Sequence, residues 1–449
     1  MDKIKPRTLS GFMELLPPEQ VCFDLMVQKL RESFSLYGFT PLDTPLMEAA
    51  EILLAKGGGE TEKQVYLLRK GDNDLALRYE LTTSLAKYAA LYCNNLTFPF
   101  RRYEIGKVYR GERAQRGRFR EFYQADIDVI GDGSLDIMNE AEIPGVIYRC
   151  FTSLGLERFI IRINNRKVLS GFFEIVGVGD AAPEVMRVVD KLDKIGYEKL
   201  LKTLANDLGL STKQAKEITH FVTFQGDPFD VLDTYKGQNK TFDIGADELF
   251  ALRKHLADFG VPDSHFKIDL AIARGLDYYT ATVYETYLTD HPGVGAICSG
   301  GRYDDLAECF IDRKMPGVGI SIGLTRLFHI LQEQGLLNDA FLTAPADVLI
   351  IPMTDDLSHA VKLATSMRES GLRVQTYSEK KKFKAKVSYA DKLNIPFVVF
   401  LGEDEISKGL ITVKDMSGGE QTTASAGMLI KGITERIKTL RDGMPIKES

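Results

Sequence analysis

The chain has 449 residues, a formal net charge of −6, and a composition that is 44% hydrophobic and 27% charged; that length exceeds what one hydrophobic core normally serves, so two or three domains are expected. No stretch approaches the roughly 18 apolar residues of a membrane helix, and an early Gly with Pro17-Pro18 breaks the start where an export signal needs a continuous apolar run, which predicts a soluble cytoplasmic protein with no membrane role. The acidic balance argues against indiscriminate nucleic-acid binding and leaves any RNA contact to local basic patches.

Cys22, Cys93, Cys150, Cys298 and Cys309 are widely spaced and lack a Cys-Xaa-Xaa-Cys pair, so they suggest neither a disulfide frame nor a zinc site, and the histidines show no ligand spacing. In chain order, Pro17-Pro18-Glu19 followed by Cys22, Leu25, Met26, Leu30 and Phe34 predicts a helix that Gly38 ends. Phe39–Leu46 carries Pro41 and Pro45 and reads as an extended edge segment. Val65–Leu68 and Leu75–Tyr79 read as a strand pair turning through Lys70–Asn73, the second ending at Glu80-Leu81-Thr82. Thr82 or Thr83 then caps a helix over Ser84–Tyr92.

The stretch Arg101–Gly131 holds eight Lys or Arg against two Glu between Arg101 and Arg120. Ile105–Tyr109 and Phe122–Ile130 flank it as strands, with Gly111 and Gly117 bracketing the turn. Such a hairpin suits phosphate binding, because guanidinium groups bind phosphate through paired hydrogen bonds and keep their charge. Pro144–Leu154 reads as a helix with its proline at the first position, and Phe159–Ile163 as a strand. From Val168 to His265 the pattern is mostly helical, with a capping box at Ser211 and Gln214 and an apolar face of Leu249, Leu252, Leu256 and Phe259. Leu270–Leu288 returns to strand character. Val318–Ile322 is a strand that feeds the helix Leu324–Gln334, and Leu337–Pro345 is a linker. Val348–Ile351, Arg373–Thr376, Phe397–Leu401 and Ile411–Val413 alternate with helices such as Leu357–Ser370, which predicts a separate α/β domain. Lys380, Lys381, Lys382, Lys384 and Lys386, interleaved with Phe383 and Tyr389, form a basic segment suited to RNA phosphate or to plain solvation.

Arg110, Glu112, Arg113, Arg120, Phe122 and Gln124 follow a pattern that resembles motif 2 of class II aminoacyl-tRNA synthetases. Ala273–Glu285 (ARGLDYYTATVYE) and Ser299–Leu306 (SGGRYDDL) resemble the motifs specific to the histidyl-tRNA synthetase family, and Gly317–Leu327 resembles motif 3. The resemblance runs from Gly11 to about Thr423. It implies an α+β catalytic domain over residues 1–165 and 262–336, with an antiparallel sheet flanked by helices. It also implies a helical insertion over 166–261 and an anticodon-binding-like α/β domain over 345–449. The reaction it implies is ATP-dependent ligation of L-histidine to tRNA(His) through histidyl-adenylate. Phe39–Leu46 resembles motif 1, which implies a homodimer contact.

By the same resemblance Arg274 stabilises transition-state charge and touches the histidine carboxylate, while Arg110 holds the α-phosphate. Arg326 takes the γ-phosphate and packs on adenine, Phe122 stacks on adenine, Glu112 reads its amino group, and Arg118 reaches the outer phosphates. Histidine falls to Glu80, Leu81, Thr82, Gln124, Asp128, Arg274, Tyr278, Tyr279 and Tyr303. Mg²⁺ is expected with ATP, with no protein ligands assigned. One departure stands out: motif 3 usually carries an acid before its arginine, and this chain has Thr325, which puts the placement of Arg326 in question. The alternative reading is a synthetase-like, histidine-binding regulatory subunit of ATP phosphoribosyltransferase, a class that typically loses the C-terminal domain and part of the arginine set. Histidine-dependent ATP–pyrophosphate exchange separates the two.

Overall fold

The computed structural model describes residues 3–55, 63–113, 117–273, 278–337 and 343–441. The chain divides into two units, one of Met1–Glu14 with Val27–Gln334 and one of Leu15–Met26 with Gly335–Ser449.

Helix α1 (Pro17–Leu36) starts on the proline pair and stops before Gly38, whose φ of 73° is a left-handed conformation that ends helices. Strand β1 (Thr40–Pro41) follows, then β2 (Met47–Ala49), α2 (Ala50–Leu54), β3 (Leu67–Lys70) and β4 (Asn73–Leu77). Strands β2, β4 and β3 form a small antiparallel sheet in that order. The strand pair therefore sits about two residues away from its expected place. Gly71, at φ 61°, tightens the turn so that Lys70 pairs with Asn73, and β4 ends at Leu77 because the Arg78 guanidinium turns into the interior. Glu80 accordingly lies in a short link and not at a strand end.

Helix α3 (Thr82–Leu91) is capped differently from the expectation: the Glu80 carboxylate accepts the N–H groups of Thr82 and Thr83, and neither threonine is the cap. The basic hairpin is built from β5 (Phe100–Tyr109) and β6 (Glu121–Ile130), each ten residues long and paired antiparallel along their full length. Helix α4 (Met138–Ser153) starts six residues before Pro144, which is thus an interior proline. The carbonyl that Pro144 cannot bond, that of Glu140, accepts the Tyr284 hydroxyl at 2.8 Å, which removes much of the usual penalty.

Strand β7 (Phe159–Asn165) runs straight into α5 (Arg166–Ile175), whose first turn is capped by Asn165. Helices α6 (Ala182–Val189), α7 (Leu192–Lys202), α8 (Thr212–Val222), α9 (Pro228–Tyr235) and α10 (Lys240–Leu256) complete the helical stretch, with the Ser211–Gln214 capping box in place. Leu249, Leu252 and Leu256 are buried on α10. That helix packs on α4 and α5, close enough that a Cβ on Gly171 would lie 2.4 Å from the Phe242 amide nitrogen. The stretch thus shares the first unit.

Strands β8 (Phe266–Ile268), β9 (Thr282–Leu288), β10 (Cys298–Tyr303) and β11 (Gly317–Ile322) lead into α11 (Leu324–Glu333). Of the strand expected over Leu270–Leu288, the described residues form a strand over Thr282–Leu288. The main sheet has eight strands in the order β1-β5-β6-β11-β10-β9-β7-β8, antiparallel throughout its middle and parallel only at its two edge pairs. The proline-bearing β1 is one of those edges, as a strand short of N–H donors must be.

The second unit alternates β12 (Val348–Pro352), α12 (Ser358–Glu369), β13 (Val374–Thr376), α13 (Phe383–Lys392), β14 (Phe397–Leu401), α14 (Glu403–Lys408), β15 (Leu410–Asp415), β16 (Gln421–Ser425) and α15 (Ala426–Arg441). Its sheet runs β13-β12-β14-β15-β16, parallel over the first three strands and antiparallel after them. All five residues of β12 are buried, the mark of a central strand covered on both faces. Among the described residues no helix is long and apolar enough to cross a membrane.

Candidate active site

Side chains alternate along β6, so Phe122, Gln124, Asp126 and Asp128 share a face. That face lines a cavity of about 390 Å³ in the first unit. Glu80 and Thr82 at the start of α3, Arg110 at the end of β5, Tyr278, Tyr279, Tyr303, Ser321 and Arg326 enclose it from other elements. The two ends of the cavity carry opposite charge.

At one end Asp128 is buried. Its Oδ1 accepts the Tyr303 hydroxyl at 2.8 Å, and its Oδ2 lies 2.7 Å from Nη2 of Arg102, a side chain with no exposed surface. Arg102 also stands 3.8 Å from Glu104, which Arg78 Nη1 approaches to 2.6 Å and to which Thr44 donates at 2.9 Å. Burial pushes the Asp128 carboxyl up to about 6, against the opposing pull of Arg102 and Tyr303. The phenols of Tyr278, Tyr279 and Tyr303 are driven up by burial as well, and so remain neutral donors. Glycine makes the crowding possible: a Cβ on Gly319 would lie 2.2 Å from Asp128 Oδ1, and one on Gly106 would lie 2.3 Å from Arg78 Nη2. Glu80 accepts from Thr82 and Thr83 at 2.6 Å each, and the Tyr278 hydroxyl stands 3.5 Å from it.

At the other end the charge is positive. Arg110 Nε donates to the Tyr79 carbonyl at 3.0 Å and its guanidinium carbon sits 5.2 Å from the centre of the Phe122 ring. Arg326 donates to the carbonyls of Ala296, at 3.0 Å, and Val294. Arg118 lies 3.3 Å from Glu112 at the rim. A carboxylate-lined end suited to N–H donors and an arginine-lined end suited to anionic groups are brought within one cavity.

Residues 11–327 match the family model described as histidyl-tRNA synthetase, and residues 347–436 match the one described as anticodon binding domain. The chain belongs to the histidyl-tRNA synthetase family. A protein of Clostridium tetani named histidine–tRNA ligase is 49% identical, over 96% of this chain and 98% of its own length. The crystal structure of histidyl-tRNA synthetase from Nostoc sp. PCC 7120 superposes with a TM-score of 0.88 at 40% identity, covering 97% of this chain and all of that one. A structure from Bacillus halodurans, titled as an ATP phosphoribosyltransferase regulatory subunit/histidyl-tRNA synthetase, reaches 0.73 at 21% identity over 89% of this chain, a likeness of fold alone.

In this synthetase fold the candidate residues Glu80, Thr82, Gln124, Asp128, Tyr278, Tyr279 and Tyr303 gather at the carboxylate end, and Arg110, Glu112, Arg118, Phe122 and Arg326 at the arginine end. Leu81 does not join them. Its side chain is buried away from the cavity, and only its carbonyl takes part, 3.4 Å from Arg102 Nη2. Arg274 lies outside the described residues.

Thr325 resolves the departure in the motif 3 stretch. It is buried, and its hydroxyl accepts the Tyr123 N–H at 2.8 Å, so it ties the start of α11 to β6 and the neighbouring Arg326 is placed without an ion pair from that position. The sequence reading missed Asp126 and Arg102. The alternation Gln124, Asp126, Asp128 was the available signal for the first. For Arg102 there was none, because an arginine two residues into a basic hairpin reads as a phosphate ligand and not as the buried counter-ion of the opposite strand. The Arg302 of SGGRYDDL likewise serves the scaffold: it bonds Glu140 at 2.5 Å and Asp304 at 3.1 Å, tying β10 to α4 while Tyr303 turns to the cavity.

Proposed function

We propose that the chain activates L-histidine with ATP to histidyl-adenylate and transfers it to tRNA(His). The observation that carries this reading is the two-ended cavity. The substrate's α-ammonium group and imidazole fall to the carboxylate end, where Glu80 and Asp128 accept and the neutral tyrosine phenols hold the ring. A carboxylate partner fixes the imidazole tautomer and rejects side chains without a ring N–H, which would leave buried polar groups unpaired. The triphosphate falls to Arg110 and Arg326, and adenine to Phe122. Arg110 covers one face of that ring, so adenine takes the other face or displaces the guanidinium. Glu112 would read the adenine amino group once Arg118 leaves it for the outer phosphates. Arg274 would meet the substrate carboxylate and the α-phosphate.

Among the described residues no three His, Cys, Asp or Glu side chains gather as a metal site. Mg²⁺ would arrive as the counter-ion of ATP. The β1 edge, both of whose residues are exposed, supports a homodimer through Phe39–Leu46, which light scattering at the mass of two chains would bear out and an active monomer would exclude. The anticodon-binding-type second unit favours tRNA charging over a purely regulatory role. Histidine-dependent ATP–pyrophosphate exchange together with histidine transfer to tRNA tests the whole reading: histidine binding without exchange would transfer the chain to the regulatory class.

A further inference from the structure

Among the described residues three carboxylates face the amino-acid end of the cavity, and they differ in how their oxygens are held. Glu80 accepts Thr83 N–H on Oε1 and Thr82 N–H on Oε2. Asp128 takes the Tyr303 hydroxyl on Oδ1, and its Oδ2 lies 2.7 Å from Arg102 as an ion pair without a hydrogen bond of its own among the described residues. Asp126 differs. It is 2% exposed, and its Oδ1 has no hydrogen-bond partner among the described residues. The preceding residue on the same strand face is in the same condition: Gln124 Nε2 donates to Ser321 Oγ at 2.5 Å, while its Oε1 is buried and has no partner among the described residues.

Natural structures rarely leave a buried acceptor unpaired, and two adjacent ones that line one cavity point to donors carried by a ligand. The local charge agrees. Among the described residues Glu80, Glu104, Asp126 and Asp128 are set against Arg78 and Arg102, and Glu104 already takes Arg78. Burial pushes the Asp126 carboxyl well above its ordinary value, with Arg102 opposing. A cationic group arriving beside it would restore the ionised form.

We propose that Asp126 is a substrate contact that helps select histidine, its Oδ1 accepting an N–H of the bound amino acid beside Gln124 Oε1. The proposal rests on the reading of the cavity as the histidine site. The donor is either the α-ammonium group or the ring N–H, and analogues separate the two.

The experiment is pyrophosphate exchange by the full-length Asp126→Ala and Asp126→Asn proteins, with histidine and ATP varied in turn. The KM for histidine should rise at least about tenfold for Asp126→Ala, the scale of a lost charge-assisted hydrogen bond, and less for Asp126→Asn, which keeps an acceptor without the charge. The KM for ATP should stay within about twofold. Inhibition by imidazolepropionate, which lacks the ammonium group, and by ring-methylated histidines then assigns the donor: whichever missing group costs less in the variant than in the wild type is the one Asp126 holds. A folded variant with unchanged histidine KM and unchanged analogue losses overturns the proposal, and if Asp126→Ala does not fold, Asp126→Asn carries the same test. A wild-type protein without histidine-dependent exchange overturns the functional reading itself, and that result is visible before any variant is made.

Discussion

The two ends of the cavity are built on opposite plans. The carboxylate end holds a set of buried charges, with Asp128, Arg102, Glu104 and Arg78 paired in that order. The nucleotide end uses long arginines that rest on backbone carbonyls or on a carboxylate at the rim, Arg110 on Tyr79, Arg326 on Ala296 and Arg118 on Glu112. On the proposed reading, a small substrate that must be told from its many amino-acid relatives would meet buried, mutually paired groups, and such a site leaves wrong ligands with unpaired polar atoms. On the same reading, a polyanion shared by many enzymes would meet groups that can exchange a carbonyl for a phosphate. Rigidity is placed where discrimination is needed.

Breaking the rigid end should have the largest effect. Arg102→Met removes the buried counter-ion of Asp128 and leaves uncompensated carboxylates, which should cost about 3–5 kcal/mol of stability. The loss should be smaller at pH 5 than at pH 8, because protonation relieves the orphaned carboxylates. Chemical denaturation at the two pH values measures this, and an equal loss at both would mean that Arg102 acts through packing alone.

Breaking the exchangeable end should spare the fold. Arg110→Ala should lower the rate of adenylate formation by about 10²-fold or more, the cost of one preorganised donor, and raise the KM for ATP, while the melting temperature changes little. Arg274→Ala should lower that rate on the same scale with less effect on ATP. Pre-steady-state adenylate formation beside thermal melting checks both. A parallel fall in stability and rate would make either arginine a scaffold residue.

The pH response sharpens the contrast further. Burial raises the Asp128 carboxyl from 3.8 to about 6, so the folded protein holds that proton more tightly than the unfolded chain does. Stability from this group is thus greatest below its ordinary value, falls as pH rises from about 4 to 6, and is level above. Asp128→Asn removes the titration. The stability of the wild type relative to this variant should therefore decrease by about 2 kcal/mol between pH 4 and pH 7, since each tenfold gain in proton affinity on folding is equivalent to about 1.4 kcal/mol and part of the effect lies below pH 4. A constant difference across that range would show that Arg102 holds Asp128 ionised throughout.

The same division decides how much could be read from sequence. The arginine end keeps its meaning in a linear motif, so that Arg110, Phe122 and Arg326 could be expected together and do line one cavity. The alternating strands of the second unit and the capping box at Ser211 were legible because their signals are local. The rigid end depends on pairing between strands: only the register that sets Arg102 opposite Asp128 shows that a residue in a basic hairpin is an internal counter-ion. The interior place of Pro144 was hidden for the same reason, since the hydroxyl that accommodates it comes from Tyr284, far along the chain. Leu81 was drawn into the site by its neighbours, although its apolar side chain had the core as its natural place.

The basic segment of the second unit provides the mildest test. Lys380, Lys381, Lys382 and Lys384 are exposed, while Lys386 is half-buried with its Nζ 3.3 Å from the Pro352 carbonyl and is the one to leave in place. Phe383 and Tyr389 are also exposed between them. Flexible solvated lysines contribute by releasing counter-ions from RNA, and such binding weakens with salt in proportion to the number of phosphates neutralised. Replacing the four with Gln should raise the KM for tRNA by about tenfold at moderate salt and reduce the slope of log affinity against log salt by about one for each lysine that meets a phosphate. Histidine-dependent pyrophosphate exchange without tRNA should be unchanged. An unaltered salt slope would make this segment an ordinary solvated face, and a fall in exchange would mean that the substitutions had reached the activation chemistry.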